Sequence, residues 1–156
     1  FGDVSVSGTG EVLSNWEALK RVEKGQETNT DALEAVARSL PALWRAEKVQ
    51  KKAKKAGFDW PDISGALDKL SEELEELKAA AAQGTNVEEE LGDLLFSAVN
   101  VSRFVKADPE QALNAATDKF ISRFRKVEAL AVREGRSMEG MTPDELDKLW
   151  ERAKRT

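Results

Sequence analysis

The sequence predicts an all-α protein, and three observations carry that expectation. Apolar residues recur at helical spacing along most of the 156 residues, and no segment shows a convincing strand pattern. Helix-starting and helix-stopping residues punctuate the chain: Pro41, Asp62, Pro109 and Pro143 at openings, Gly25, Gly57, Gly84 and Gly135 at closings. Apolar residues make up 40% and charged residues 34%, the balance of solvated helix faces around one core, and the length suits a single domain.

Phe1–Gly10 is rich in Gly, Ser and Thr and lacks helical periodicity. It reads as a linker remnant, which leaves residues 11–156 as the domain and suggests the C-terminal piece of a longer protein. A first helix is expected from Glu11 to Glu23, ending near Gly25. The polar stretch Lys24–Asn29 reads as mobile. Ser39 and Pro41 read as the N-cap region and first turn of a second helix. That helix carries Leu43, Trp44, Ala46 and Val49 and ends before Gly57. Its far half, Lys48–Lys55, is basic and reads as a solvated run.

After Gly57-Phe-Asp-Trp-Pro61 a helix is expected from Asp62 to Ala82. Gln83-Gly-Thr-Asn86 is the turn, and Asn86 with Glu89 makes a capping-box pattern for the next helix, which runs to about Lys106. So short a turn makes the two helices antiparallel neighbours. Asp108-Pro109 opens a long helix to Arg133, stopped by Gly135. Thr142-Pro143 with Glu145 caps a last helix to Lys154. The expected architecture is a helical bundle whose core is built by an antiparallel pair of acidic helices plus the long third helix.

Composition excludes several chemistries. The chain has no cysteine and no histidine. Disulfides, thiolate metal sites, zinc enzymes, His-based acid–base sites, serine triads and the Glu-x-x-His di-iron site are therefore ruled out or disfavoured. A cysteine-free chain fits a cytoplasmic protein. The net charge is −5 and the basic residues are spread, which argues against a dedicated nucleic-acid binder. No stretch approaches the roughly 18 apolar residues of a membrane span. Any resident metal must be held by carboxylates, amides and water.

Two acidic pairs then stand out. Glu73 and Glu76 lie on the first of the paired helices, Glu90 and Asp93 on the second. Each pair has i,i+3 spacing, so its carboxylates point the same way. Antiparallel packing would bring four anions together, a cluster that calls for a hard divalent cation. On the second helix, Leu91, Leu94, Leu95, Ala98 and Val101 form one apolar sector and Phe96 with Val99 another. Glu90, Asp93, Ser97 and Asn100 occupy the wedge between them. A helix apolar on two sides is normally buried, so this wedge is expected to face protein. Gly92 marks either a close approach by another group or a tolerated small residue. Taken alone, the first acidic run resembles a solvated face. Lys119 and Arg123 share a face at i,i+4 and are either a polyphosphate clamp or an ordinary surface pair. Trp44, Phe58, Trp60, Phe104 and Trp150 read mainly as core.

Taken together these segments resemble the MazG family of nucleoside triphosphate pyrophosphohydrolases. The hallmark Glu-x-x-Glu followed by Glu-x-x-Asp reads here as Glu73-Leu-Glu-Glu76 and Glu90-Leu-Gly-Asp93. Ser39-Leu-Pro-Ala-Leu43, Gly57-Phe-Asp-Trp60, Glu89-Glu-Leu-Gly-Asp-Leu-Leu-Phe96 and Lys119-Phe-Ile-Ser-Arg-Phe-Arg125 look like the C-terminal domain of the two-domain bacterial form. The resemblance implies an all-α NTP pyrophosphatase bundle, a homodimer or higher homo-oligomer, and Mg²⁺ (with Mn²⁺ as a substitute) held by the four acids. It implies hydrolysis of NTPs and dNTPs to nucleoside monophosphate and pyrophosphate, as housecleaning of the nucleotide pool. Lys69, Lys119 and Arg123 match positions that contact phosphate, and Trp150 a tryptophan near the nucleotide. Glu72 falls beside the ligands, and either Glu73 or Glu72 would take the proton from the attacking water. Asn100, in the acidic wedge, is a further candidate substrate contact. Asn86 stands where the family can carry a basic residue between the acidic pairs, and this departure weakens one phosphate contact. Rival readings are a non-catalytic or regulatory divalent-binding module and a relative specialised for dUTP or phosphoribosyl-ATP.

Overall fold

A computed structural model describes residues 8–25 and 27–156. Their regular structure is helical: α1 (Thr9–Glu23), α2 (Asn29–Glu34), α3 (Ala42–Lys55), α4 (Ile63–Gln83), α5 (Val87–Phe104), α6 (Pro109–Arg133), a 3₁₀ turn (Met138–Gly140) and α7 (Pro143–Arg155). The all-α expectation holds. Among the described residues no helix is long and apolar enough to cross a membrane. The expected linker Phe1–Gly10 lies mostly outside the described residues, and its last two positions belong to α1.

Several ends follow from local chemistry. Asp62 caps α4, its Oδ1 accepting from the Ser64 N–H at 2.8 Å. Gly84 closes the same helix at φ 72°, the left-handed conformation glycine adopts without a Cβ penalty. Asp108 caps α6 through the Gln111 N–H, with Pro109 in the first turn. Thr142 and Glu145 form the anticipated capping box of α7.

Three expectations about helix starts need correction. Asn86 does not cap α5 with its side chain; it sits at φ 55° and completes the tight turn out of α4. The N-cap of α3 is Pro41 and not Ser39. The stretch after Lys24 contains an extra helix, α2, nucleated by a reciprocal box between Thr28 and Asp31, with contacts of 2.7 and 3.1 Å.

The chain divides into two units, residues 1–107 and 108–156. In the first, α4 and α5 form an antiparallel hairpin and α3 packs on α5. Buried Gln50 on α3 ties the two, its Nε2 donating to the Phe96 carbonyl at 2.9 Å. On α4, the residues turned inward are Ala66, Leu70, Glu73, Leu77 and Ala80, alternating by four and three as in a coiled-coil seam. Gly65 is set by packing, since a Cβ there would stand 2.6 Å from the Trp60 ring. In the second unit, Val127 and Ala131 of α6 pack with Met141, Leu149 and Ala153. The long helix thus builds the core of its own unit with α7.

The aromatic expectation is only partly met. Trp44, Phe104 and Trp150 are half-buried, but Phe58 is 84% exposed and Trp60 is 43% exposed.

Candidate active site

The seam of α4 explains the site. A coiled-coil seam favours aliphatic residues, yet its central position is Glu73, only 4% exposed. The partner seam on α5 runs through Glu90, Leu94, Ser97 and Val101, so it too carries an acid and a hydroxyl where apolar side chains would pack best. Oxygens of Glu73, Glu90 and Asp93 come within 4.8 Å of one another, as do those of Glu72, Glu73 and Glu76. Glu73 belongs to both groups. The four acids singled out by spacing thus fall into two overlapping groups joined at Glu73, with Glu76 in one and Glu90 and Asp93 in the other.

Their burial is not as the sequence suggested. The acidic wedge of α5 is mixed: Glu90 and Asn100 are half-buried, Ser97 is buried, and Asp93 is exposed. The first acidic run, which alone looked like a solvated face, holds the most buried acid of all. The signal that could have found Glu73 is its register, because it continues the Ala66–Leu70–Leu77–Ala80 stripe while Leu74 lies off it, 42% exposed. Gly92 has no neighbour within 4 Å of where a Cβ would stand, so among the described residues it marks no close approach.

Electrostatically the cluster is under-neutralised. Lys69 is its one ion-pair partner among the described residues, reaching Glu72 Oε1 at 2.7 Å and Glu73 Oε1 at 2.6 Å. Those two hydrogen bonds hold the Lys69 ammonium above its ordinary range. The second oxygens of Glu73 and Glu90 are buried and have no hydrogen-bond partner among the described residues. Such orphaned carboxylate oxygens are costly unless a cation satisfies them. The charge of Glu73, then partial burial, then the charge of Glu90 push the Glu76 carboxyl above its ordinary value near 4.5. An all-oxygen donor set with uncompensated charge suits a divalent cation of the magnesium type.

Asn100 is held rather than free. Its Oδ1 accepts from Arg103 Nε at 2.9 Å and Nη2 at 2.5 Å. Arg103 in turn pairs with Asp59 at 2.6 Å, both side chains largely buried at 7% and 13% exposure. The Arg103 guanidinium holds the Asp59 carboxyl below its ordinary range. Sequence reading missed this Asp59–Arg103–Asn100 chain, because a buried pair 44 residues apart leaves no periodic trace.

Lys119, Arg123 and Trp150 belong to the second unit. The Arg123 guanidinium lies 5.9 Å from the Trp150 ring centre, within cation–π range, and Phe120 packs on the same indole at 5.2 Å. Lys119 is exposed and Arg123 half-buried. Spacing had joined Lys119 and Arg123; the structure adds Trp150 to Arg123 and brings in Phe120, which sequence reading did not single out.

Comparison with known proteins agrees with this geometry. Residues 63–128, which contain both acidic pairs, match the MazG nucleotide pyrophosphohydrolase domain. A nucleoside triphosphate pyrophosphohydrolase of Escherichia coli K12 is 40% identical over 99% of this chain and 60% of its own length. The nucleoside triphosphate pyrophosphohydrolase/pyrophosphatase MazG of Thermotoga maritima is 44% identical over 99% of this chain and 58% of its own. Bacillus subtilis YabN, described as uncharacterized, is 43% identical over the whole chain and 32% of its own length. The chain thus spans about three-fifths of the length of the first two relatives.

Proposed function

Because the chain belongs to the MazG family of nucleotide pyrophosphohydrolases, we propose that it hydrolyses nucleoside triphosphates to nucleoside monophosphate and pyrophosphate. The observation that carries this reading is that Glu73 and Glu90, whose ligand oxygens come within 4.8 Å of each other across the α4–α5 hairpin, each keep a buried oxygen with no hydrogen-bond partner among the described residues. A bound cation would relieve the cost of such a pair.

Glu73, Glu76, Glu90 and Asp93 would hold Mg²⁺. When bound, the cation supplies charge neutralisation for the phosphates and lowers the pKa of the attacking water. Glu73 is common to both acid groups and is committed to binding. Glu72 beside it is 56% exposed at its side chain and can exchange a proton with solvent, so it takes the proton from water. The water oxygen bonds to the α-phosphorus, the α–β bridging bond breaks, and pyrophosphate leaves with the bonding electrons. Lys69, next to the acids, offers its ammonium to the phosphates. Within the second unit, Lys119 and Arg123 are candidate phosphate contacts and Trp150 a candidate base contact. Asn100, fixed by Arg103, would orient substrate.

We also propose that the working form is a homodimer or higher homo-oligomer. Leu91, Leu95 and Phe96 of α5 are 46–49% exposed, on the helix that carries two of the acids. Light scattering of wild type and Leu95→Glu tests this: a dimer that dissociates on substitution is expected, and a wild-type monomer would refute it.

The decisive assay for the activity mixes protein, Mg²⁺ and a panel of NTPs and dNTPs and identifies products. Monophosphate and pyrophosphate are expected. Diphosphate and phosphate would mean another bond is cut, and no turnover with intact cation binding would leave a non-catalytic module. Glu72→Gln should lower kcat with little change in KM, whereas Glu90→Gln should abolish cation binding and turnover together.

A further inference from the structure

The acids are not the only concentrated charge in the first unit. Between α1 and the α2–α3 segment lies a cleft of about 320 Å³. That volume lies in the range of small-molecule sites. Its wall gathers Trp16, Lys20, Arg21, Lys24, Lys52 and Lys55, five cations in a chain whose net charge is −5. The run Lys48–Lys55 had looked like solvated charge, but two of its lysines face this cleft.

Compensation within the cleft is sparse. Among the described residues Glu17 is the one acid on its wall, and it pairs with Lys55 at 2.7 Å. Asp31, near Arg21, already accepts at 2.7 Å from the Thr28 N–H in the α2 cap. Lys20 rests on the Trp16 ring at 3.7 Å instead of on a carboxylate. No salt bridge reaches Lys24 or Lys52 among the described residues. The Arg21 Nε is buried without a hydrogen-bond partner among the described residues. Burial first, and then the charges of Lys24 and Lys55, push the Lys52 ammonium below its ordinary value against the opposing pull of Glu17.

We propose that this cleft binds a condensed phosphate, either free diphosphate or the diphosphate part of a nucleotide tail, at a site separate from the acid cluster. Five cations less Glu17 leave four positive charges, and a diphosphate brings up to about two negative charges per phosphate. Lysine ammoniums act as point charges and the Arg21 fork matches a phosphate edge. A cleft of this size suits a compact polyanion, whereas a nucleic-acid backbone would need an extended basic track. The inference goes beyond the proposed hydrolysis and does not depend on it.

The test is calorimetric titration of the chain with sodium pyrophosphate in EDTA, where the acid cluster repels the ligand and cannot hold it through a cation. A 1:1 isotherm tighter than about 1 mM is expected. Lys24→Ala and Lys52→Ala should each weaken it about 10-fold. Lys78→Ala, which removes one exposed charge on α4, should leave it unchanged. Quenching of Trp16 emission, read as the difference from Trp16→Phe, gives a second signal if either lysine variant is poorly folded. Competition by ATP assigns the ligand to a nucleotide tail, and its failure to compete assigns it to free diphosphate; both outcomes support the cleft. No saturable binding, equal binding by the Lys24→Ala/Lys52→Ala double variant, or equal weakening by Lys78→Ala would overturn it.

Discussion

Replacing Glu73 with glutamine should inactivate the chain and stabilise it at once. Glu73 is 4% exposed, and its oxygens come within 4.8 Å of those of half-buried Glu90. At that separation and an effective dielectric near 20, two unit charges repel by about 3.5 kcal/mol. The Lys69 ion pair and the solvent that reaches Glu90 offset more than half of this, which leaves roughly 1–2 kcal/mol. A neutral amide removes the repulsion, and its N–H can donate to the orphaned Glu90 oxygen. Lys69 keeps Glu72 as a partner. In EDTA the variant should therefore melt about 2–8 °C above wild type. Saturating Mg²⁺ should reverse the order. At 100 times Kd a cation adds about 2.7 kcal/mol to the wild type, and the variant should gain little. The assay is a thermal melt by circular dichroism with and without Mg²⁺, beside product analysis. A variant that melts lower than wild type in EDTA, or gains as much from Mg²⁺, would refute the account of an under-neutralised buried cluster.

Three further outcomes follow from other contacts. The Glu76 carboxyl is raised in the folded state, so its contribution is fully present below its ordinary value near 4.5 and is lost as pH rises through the raised value; urea midpoints in EDTA should show Glu76→Gln gaining on wild type only as pH climbs past that point, and a constant difference from about pH 4 to 7 would contradict it. Asp59→Ala leaves Arg103, 7% exposed at its side chain, as a buried unpaired charge and should cost about 3–5 kcal/mol in urea unfolding, while releasing Asn100 to raise KM. Gly65→Ala pushes a methyl group to within 2.6 Å of Trp60 and should cost about 1–3 kcal/mol, with a shift in tryptophan emission that reports the displaced ring.

What the sequence showed and what it hid divide along physical lines. The helices with strong end chemistry were legible: α6 between Asp108-Pro109 and Gly135, α7 behind Thr142 and Glu145, α4 between Asp62 and Gly84. α2 was not, because a six-residue helix has no periodicity to read and announces itself only through Thr28 and Asp31. That acids of both helices come near one another was legible, since i,i+3 spacing and a short turn suffice to bring Glu73 close to Glu90 and Asp93. Their order of burial was not. Counting acids around Leu74 hid the fact that Glu73, not Leu74, continues the inward stripe. The exposure of Leu91, Leu95 and Phe96 was equally hidden, because hydrophobicity says that a face wants covering and not which element covers it.

The hairpin's design also argues that the acids are there for chemistry. Ala66, Leu70, Leu77 and Ala80 would pack as an ordinary seam if position 73 were aliphatic, and α5 would match it with an aliphatic residue in place of Glu90. Replacing buried charges by packed apolar groups is commonly neutral or stabilising, so the fold gains nothing from keeping them. What surrounds them is built to resist movement. The α4–α5 turn is pinned by Gly84 and Asn86 in left-handed conformations, α5 is tethered to α3 through Gln50, and Asn100 is locked to Asp59 through Arg103. A rigid frame around a self-repelling cluster is the arrangement that holds ligands at fixed separations while leaving them short of positive charge. On the proposed function the deficit would be made up by what binds, which would couple the stability of the hairpin to cation and substrate.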